Sequence, residues 1–185
     1  RLKTSLSRHG SASLALGAIR EIQILKLHER GCALDGGGNP GFVERQAGGE
    51  GVGKSFAALA ERGFFDVEEL STHYANGSRL SGHVSHKGVP GVEFSTGSLG
   101  HGLAVAAGMA LGGKKDKADW RVFCVMGDGE CDEGSVWEAA LQAHQYKLDN
   151  LIAFTDYNKL QIDGTTAEVN DLDPLGEKWA AFGWN

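Results

Sequence analysis

The chain has 185 residues and a formal net charge of −6, from 18 basic and 24 acidic side chains. This length suits one domain, or one domain and an extension, and suffices to bury a core without disulfides or metal sites. The acidic balance argues against a surface for nucleic acid or anionic lipid. With 28 Gly and 3 Pro, the composition is neither collagen-like nor that of a disordered chain.

The cysteines and the apolar runs bear on the compartment. Three cysteines are an odd number, and their spacing fits neither a zinc site nor a disulfide framework. We expect Cys124 to lie in a buried strand and Cys131 to be more exposed to reaction, with no base beside it in the sequence. No apolar run reaches the ~18 residues of a membrane span. The sequence therefore predicts a cytoplasmic protein without a membrane segment. Because the chain starts at Arg1, and residues 182–185 resemble the approach to another strand, we expect a piece of a longer protein.

The first 54 residues differ from the rest in glycine content and in the periodicity of their apolar residues. Residues 1–31 predict one helix, with apolar side chains on one face and Gly31 as its stop. The glycine-rich stretch that follows has little apolar periodicity and predicts a loop. We expect residues 1–54 to form an atypical N-terminal segment, and residues 55–185 to form an α/β domain that is truncated at its C-terminus.

From Ser55 onward, helix and strand patterns alternate. In chain order the sequence predicts a helix over 55–62, a short helix capped by Asp66, a helix over 103–111, a strand over 121–126, a helix over 134–146, a strand over 151–155 and a helix over 172–182. The helix over 103–111 is almost wholly apolar, which predicts burial on all sides. Both strands are near-continuous apolar runs joined through a helix. They predict a βαβ unit in a parallel sheet that helices cover on both faces.

The sharpest motif is a Gly-Asp-Gly triplet at 127–129, directly after the first strand, matched by Asp-Tyr-Asn at 156–158 after the second. The carboxyl ends of adjacent parallel strands share one sheet edge, where open α/β sheets bind ligands. Asp128 and Asn158 should therefore face each other. A carboxylate, an amide oxygen and a nearby carbonyl form an oxygen-only donor set that suits Mg²⁺ or Ca²⁺ with phosphate oxygens. Gly129 allows the backbone to approach a phosphate.

This motif, Gly-Asp-Gly followed by Asn after 28 intervening residues, resembles the thiamine diphosphate-binding motif. Its surroundings resemble the N-terminal, diphosphate-binding region of transketolase, from about residue 57 to residue 185. The matching segments are Val92–Gly102, Gly127–Ala140, Tyr146–Ile152, Leu160–Gly164 and Glu177–Trp179.

The resemblance implies a set of residues for the metal and the diphosphate. Asp128 and Asn158 would be side-chain ligands of Mg²⁺ (or Ca²⁺), and Leu160 would be a carbonyl ligand. Gly127 and Gly129 would line the diphosphate. The cofactor implied is thiamine diphosphate.

The resemblance also implies roles nearer the rings of the cofactor and the substrate. Gly97 and Leu99 belong to a loop that would lie against the cofactor rings. Glu133 would join an acidic network that links two cofactor sites across a subunit interface. His83 would bind the terminal hydroxyl of the donor sugar, although Val84 follows it where the family usually has proline.

The implied reaction moves a two-carbon ketol unit from a ketose phosphate to an aldose phosphate. In this family, the carboxylate that activates the aminopyrimidine comes from a separate pyrimidine-binding domain, which these 185 residues do not include. The resemblance therefore implies half of an active site. Its partner would be a C-terminal transketolase subunit or pyrimidine-binding domain, in a homo- or hetero-oligomer that acts on sugar phosphates.

Two alternatives stay open at this point. The family's Gly-His-Pro-Gly-Gly and Ser-Lys-Gly-His motifs align with Ala33–Gly37 and Ala47–Glu50, so that Leu34 replaces one histidine and the other is also absent. The chain is on this view a catalytically impaired remnant that retains only the fold or the cofactor binding. In addition, Gly48–Ser55 matches the P-loop pattern of nucleotide-binding proteins, although Phe42–Ala47 is a poor candidate for the buried strand that must precede it.

Overall fold

The structure is a computed structural model that describes the backbone of residues 49–185 and the side chains of residues 53–185. The sequence predictions for residues 1–48, including the N-terminal helix and the replacement at Leu34, lie outside the described residues. The helices are α1 (Gly49–Glu61), α2 (Gly102–Lys115), α3 (Gly134–Gln145), α4 (Thr166–Val169) and α5 (Leu175–Ala181). The strands are β1 (Val122–Gly127), β2 (Leu151–Asp156), β3 (Leu160–Gln161) and β4 (Gly164–Thr165), and 3-10 helices occupy Val67–Thr72 and Gly129–Asp132.

The predicted βαβ unit is present, and the α/β prediction is confirmed. Strands β1 and β2 pair in parallel with a register that runs from Val122 opposite Leu151 to Gly127 opposite Asp156. Helix α3 is the crossover between them. The alternate residues of β1 that begin with Val122 are fully buried, and the residues between them are partly buried, as expected for a strand covered on both faces.

The main core lies where α2 packs against β1, β2 and α3. Leu103, Ala106 and Ala110 of α2 are completely buried, because small and apolar side chains let the helix approach the sheet closely. The prediction that this helix is buried on all sides was wrong for one stripe. Ala104 and Gly108 are exposed, since no element in the described part of the chain packs over them.

A second, smaller core joins α1 to the segment that follows it. Phe56 and Leu59 of α1 pack with Leu80, Val84 and Val92. These three residues lie in irregular backbone between the first 3-10 helix and α2. Helix α1 also contacts β1, which places the helix beside the sheet. The helix begins at Gly49, earlier than predicted, and Gly63 follows its end with a φ of +79°.

The C-terminal end of the chain packs against α3. Pro174 occupies the N-cap of α5, so this helix begins at Leu175 rather than at the predicted residue 172. Trp184 is buried, and its Nε1 donates a hydrogen bond to the carbonyl of Ala140 at 3.0 Å. Among the described residues, no helix combines the length and the apolar character that crossing a bilayer requires.

Candidate functional site

Asp128 is the centre of the candidate site. It directly follows β1, its side chain is 0% exposed, and its Oδ1 accepts a hydrogen bond from the Gly129 N–H at 2.9 Å. Its Oδ2 accepts one from the Lys159 N–H at 2.6 Å. This second bond joins the Gly-Asp-Gly turn to the loop after β2. The predicted meeting of the two motifs at one sheet edge is therefore observed.

The environment of Asp128 suits a bound cation. Its pKa lies above the ordinary value because burial outweighs the hydrogen bonds from the N–H groups of Lys159 and Gly129, and because the negative charge of Asp156 adds to the effect. A cation at this point would offset the cost of burying the carboxylate.

Asn158 and Leu160 flank Lys159, the residue whose N–H donates a hydrogen bond to Asp128. The Asn158 Oδ1 accepts a hydrogen bond from the Leu160 N–H at 2.8 Å. Lys159, between them, has a φ of +64°, which turns the chain sharply between β2 and β3. The three residues that the resemblance assigns to the metal are thus gathered around one turn.

The chemistry of these groups fits a hard cation that also binds phosphate. Carboxylate, amide and carbonyl oxygens are the donors that Mg²⁺ and Ca²⁺ prefer. Within residues 53–185 no group of three His, Cys, Asp or Glu side chains is placed to hold a metal on its own. Mg²⁺ commonly binds through one or two carboxylates and completes its coordination with substrate phosphates and water.

Gly129 is required by close packing at the turn. A Cβ atom added at Gly129 would lie 2.9 Å from the Cβ of Gln161 in β3. Any larger residue would separate the turn from the loop that carries Asn158.

A second part of the site is the loop from Gly97 to Gly102. Gly100 is buried with a φ of +79°; its N–H donates to Glu130 Oε1 at 2.9 Å, and its carbonyl accepts from the Ser135 hydroxyl at 2.7 Å. The loop is thereby fastened to the segment that follows β1.

The remaining residues implied by the resemblance lie around that loop. A Cβ added at Gly97 would lie 2.9 Å from the His83 ring, so His83 packs beside the loop. Leu99 is partly exposed, and Glu133, at the N-cap of α3, is exposed. Leu99 in the loop, and His83 and Glu133 beside it, therefore have surfaces open to a ligand.

Lys54 is a neighbour of the site that the sequence did not identify. Its Nζ lies 2.5 Å from the Asp156 Oδ1, and their side chains are 30% and 7% exposed. Asp156 ends β2 and is itself 3.4 Å from the Asn158 Nδ2. The sequence indicates the acid at the end of the strand, but the partner is 102 positions away, and no local pattern reports such a contact.

The structure does not support the P-loop interpretation of Gly48–Ser55. The backbone is helical from Gly49 onward, whereas a phosphate-binding loop wraps its ligand before the helix begins. Lys54 is engaged by Asp156 instead.

The expectation for Cys131 was also wrong. Cys131 is completely buried, because the 3-10 helix after Asp128 turns it inward. Burial, together with the negative charge of Glu130, raises the pKa of the thiol, so it is a poor nucleophile. Cys124 is buried in β1 as predicted.

Comparisons with known proteins agree with this architecture. Residues 47–185 match the family model described as "Transketolase, thiamine diphosphate binding domain". The chain is 47% identical over 151 residues to 6-deoxy-6-sulfo-D-fructose transketolase subunit SqwG of Clostridium sp. (strain MSTE9), covering 80% of this chain and 55% of that protein. It is 51% identical over 130 residues to one of the subunits of the apulose-4-phosphate transketolase of Phocaeicola vulgatus, covering 70% of this chain and 46% of that protein.

Solved structures give the same result. The transketolase of Campylobacter jejuni superposes with a TM-score of 0.62 at 30% identity, covering 77% of this chain and 23% of that one. The chain thus spans about half the length of the two subunits and less than a quarter of this transketolase. The match to the family model and these relatives together show that the chain belongs to the transketolase family and carries its thiamine diphosphate-binding domain.

Proposed function

We propose that this chain binds thiamine diphosphate with Mg²⁺ (or Ca²⁺) at the edge of β1 and β2 and forms one half of a two-carbon ketol transferase. The observation that carries the proposal is the buried Asp128 carboxylate, which joins the Gly-Asp-Gly turn to the loop of Asn158. Membership of a transferase family whose matched domain is named for this cofactor supports it.

The metal-binding part of the proposal assigns three oxygen donors. The carboxylate of Asp128, the amide oxygen of Asn158 and the carbonyl of Leu160 hold the cation, and Gly127 and Gly129 line the diphosphate. The gathering of these residues around one buried turn supports the assignment. When bound, thiamine diphosphate supplies the carbon nucleophile and the electron sink for making and breaking carbon–carbon bonds.

The protein's own contribution is binding and orientation. The loop that contains Gly97 and Leu99 receives the rings of the cofactor, and His83 binds a hydroxyl of the donor sugar. Glu133 reaches towards a neighbouring subunit. The position of these side chains around one fastened loop supports these roles.

The proposal includes a partner chain and sugar-phosphate substrates. Relatives named as subunits of split transketolases support a separate partner. The names of these relatives refer to apulose 4-phosphate and to 6-deoxy-6-sulfo-D-fructose, both sugar derivatives that carry an anionic group. The partner would be a C-terminal subunit that contributes the pyrimidine-binding domain.

Calorimetry tests the binding step directly. With Mg²⁺ present we expect the chain to bind thiamine diphosphate, and we expect Asp128→Ala to weaken binding by about 100-fold, because loss of a metal-site residue commonly costs that much. Asp163→Ala, which removes an exposed acid from the nearby β3–β4 turn, is the matched control and should bind as the wild type does.

The partner chain supplies the second arm of this test. Ketol transfer that requires both chains would support a working half-enzyme. Binding without transfer would favour the impaired remnant, and absence of binding with and without the partner would overturn the proposal.

A further inference from the structure

The peptide groups of Gly100 are held from two directions by the segment that follows β1. The N–H donates to Glu130 Oε1 at 2.9 Å, and the carbonyl accepts from the Ser135 hydroxyl at 2.7 Å. These partners are 30 and 35 positions away in the sequence. Gly100 of the Gly97–Gly102 loop is therefore hydrogen-bonded both to the 3-10 helix Gly129–Asp132 and to the first turn of α3.

Gly100 also fits its surroundings too closely for another residue. Its φ of +79° favours glycine, and a Cβ there would collide with Ser135 and would lie 2.8 Å from the Cβ of Glu133. The loop backbone is thus in direct contact with the N-terminal end of α3. Two hydrogen bonds and close packing together define one position of the loop relative to Asp128.

Glu130 is an unexpected residue for this place. Its side chain is 0% exposed, and burying a carboxylate is costly unless hydrogen bonds compensate for the lost water. It lies one residue beyond Gly129, where the proposed diphosphate would bring further negative charge. A buried anion there opposes the binding of another anion, so direct binding of the diphosphate does not explain it. Its hydrogen bond to Gly100 does give it a role.

We propose that Glu130 and Ser135 are positioning residues that hold Gly100 so that the Gly97–Gly102 loop can receive the ring end of thiamine diphosphate. This inference rests on the proposed function, because it assumes that the loop contacts the cofactor. Glu130 acts through the loop and touches neither the diphosphate nor the cation.

Two ligands separate this role from that of the metal site. Thiamine diphosphate has rings and a diphosphate, whereas inorganic pyrophosphate has only the latter. We expect Glu130→Ala to weaken thiamine diphosphate binding by about 10-fold, the effect of losing one hydrogen bond to a charged group. Binding of pyrophosphate, also measured by calorimetry with Mg²⁺, should not weaken, because the variant removes a negative charge.

Conservative and control variants sharpen the comparison. Glu130→Gln keeps an oxygen that can accept from Gly100 and should restore most of the affinity. Ser135→Ala should weaken thiamine diphosphate binding by roughly 3-fold to 5-fold, as expected for a neutral hydrogen bond. Glu138→Ala removes an exposed carboxylate from the same helix and should change neither affinity.

Amide hydrogen exchange at Gly100 measures, without any ligand, how firmly Glu130 holds the Gly100 N–H. By NMR we expect the Gly100 N–H to exchange slowly in the wild type and in Glu130→Gln, and at least about 10-fold faster in Glu130→Ala. If Glu130→Ala fails to fold, Ser135→Ala and Glu130→Gln decide the question with the same two ligands.

The outcomes distinguish this inference from the proposed function. If the wild type binds neither ligand, the proposed function fails and this inference fails with it. If the wild type binds both ligands and folded Glu130→Ala binds thiamine diphosphate as tightly as the wild type does, only the positioning role of Glu130 is overturned. An equal loss of both ligands would also overturn it, since the residue would then act on the metal–diphosphate end.

Discussion

At the scale of single residues, the candidate site depends on groups that are held by backbone hydrogen bonds. Asp128 accepts from two N–H groups on different segments, so one buried carboxylate determines how the Gly-Asp-Gly turn meets the following loop. Buried polar groups that are bonded in this way contribute to a unique structure as well as to binding. The same residue is therefore expected to affect both stability and affinity.

Gly129 offers a prediction at this scale. We expect Gly129→Ala to lower the free energy of unfolding by about 1–2 kcal/mol, because the new methyl group would overlap the Cβ of Gln161. It should also weaken thiamine diphosphate binding by displacing the loop of Asn158. Chemical denaturation and calorimetry measure the two effects.

The matched control is Gly134→Ala at the start of α3. A Cβ there meets nothing within 4 Å, so its stability should change by less than about 1 kcal/mol. Equal effects of the two substitutions would show that the close approach of Gln161 is not what limits position 129.

At the scale of elements, contacts across the sheet edge place α1 beside the end of β2. Lys54 extends from α1 to Asp156, whose side chain is only 7% exposed. The apolar residues of α1 face the small core, while this lysine faces the sheet edge. The helix thus contributes both packing and a charge to the neighbourhood of the candidate site.

The Lys54–Asp156 pair gives a prediction for stability. Lys54→Met should lower the free energy of unfolding by about 1–2 kcal/mol, because the nearly buried Asp156 carboxylate loses the ammonium group of its lysine partner. The loss stays moderate because the lysine itself is partly solvated. Urea denaturation of the two proteins measures the difference.

Lys114→Met is the control for a surface ion pair. Its partner Asp149 is 81% exposed, so the loss should stay below about 1 kcal/mol. In a double-mutant cycle, Lys54→Met should cost less when Asp156 is already Asn. Additive effects in that cycle would contradict the coupling.

At the scale of the whole molecule, the described residues form two adjoining cores around one short parallel sheet. The chain spans about half the length of the transketolase subunit that it matches and less than a quarter of the solved transketolase. Titrating groups packed against these cores should affect the pH dependence of the free energy of unfolding.

His73 provides a pH-dependent prediction for global stability. Burial against Phe56 and Tyr74 lowers the pKa of His73, although a hydrogen bond with the Ser81 backbone raises it in part. The folded state then binds fewer protons than the unfolded state below a pH of about 6.5. Stability should be highest above this pH and should fall as the pH drops through it.

The measurement is the free energy of unfolding between about pH 5 and 8. His73→Phe should flatten the fall below pH 6.5, because the aromatic ring stays while the titrating group is removed. His86→Gln, which changes an exposed histidine, should leave the slope unchanged. An unaltered slope in His73→Phe would assign the pH dependence to other groups.

Much of the architecture could be predicted from local patterns. The two apolar strands were predicted over 121–126 and 151–155 and are observed over 122–127 and 151–156. These strands, the helix between them and the polar triplets at their ends follow from periodicity and turn chemistry. These features depend mainly on neighbouring residues, so the sequence was sufficient for the α/β fold and for bringing Asp128 close to Asn158.

The tertiary structure decided what depends on long-range packing. The pairing of Lys54 with Asp156, the hold of Glu130 on Gly100 and the burial of Cys131 join segments that are distant in sequence or turn a side chain inward. Likewise, the pattern of α2 shows that the helix is apolar, but only its packing shows which stripe stays exposed. The physical reason is that periodicity reports which face of an element avoids water, whereas individual contacts are set by how several elements meet.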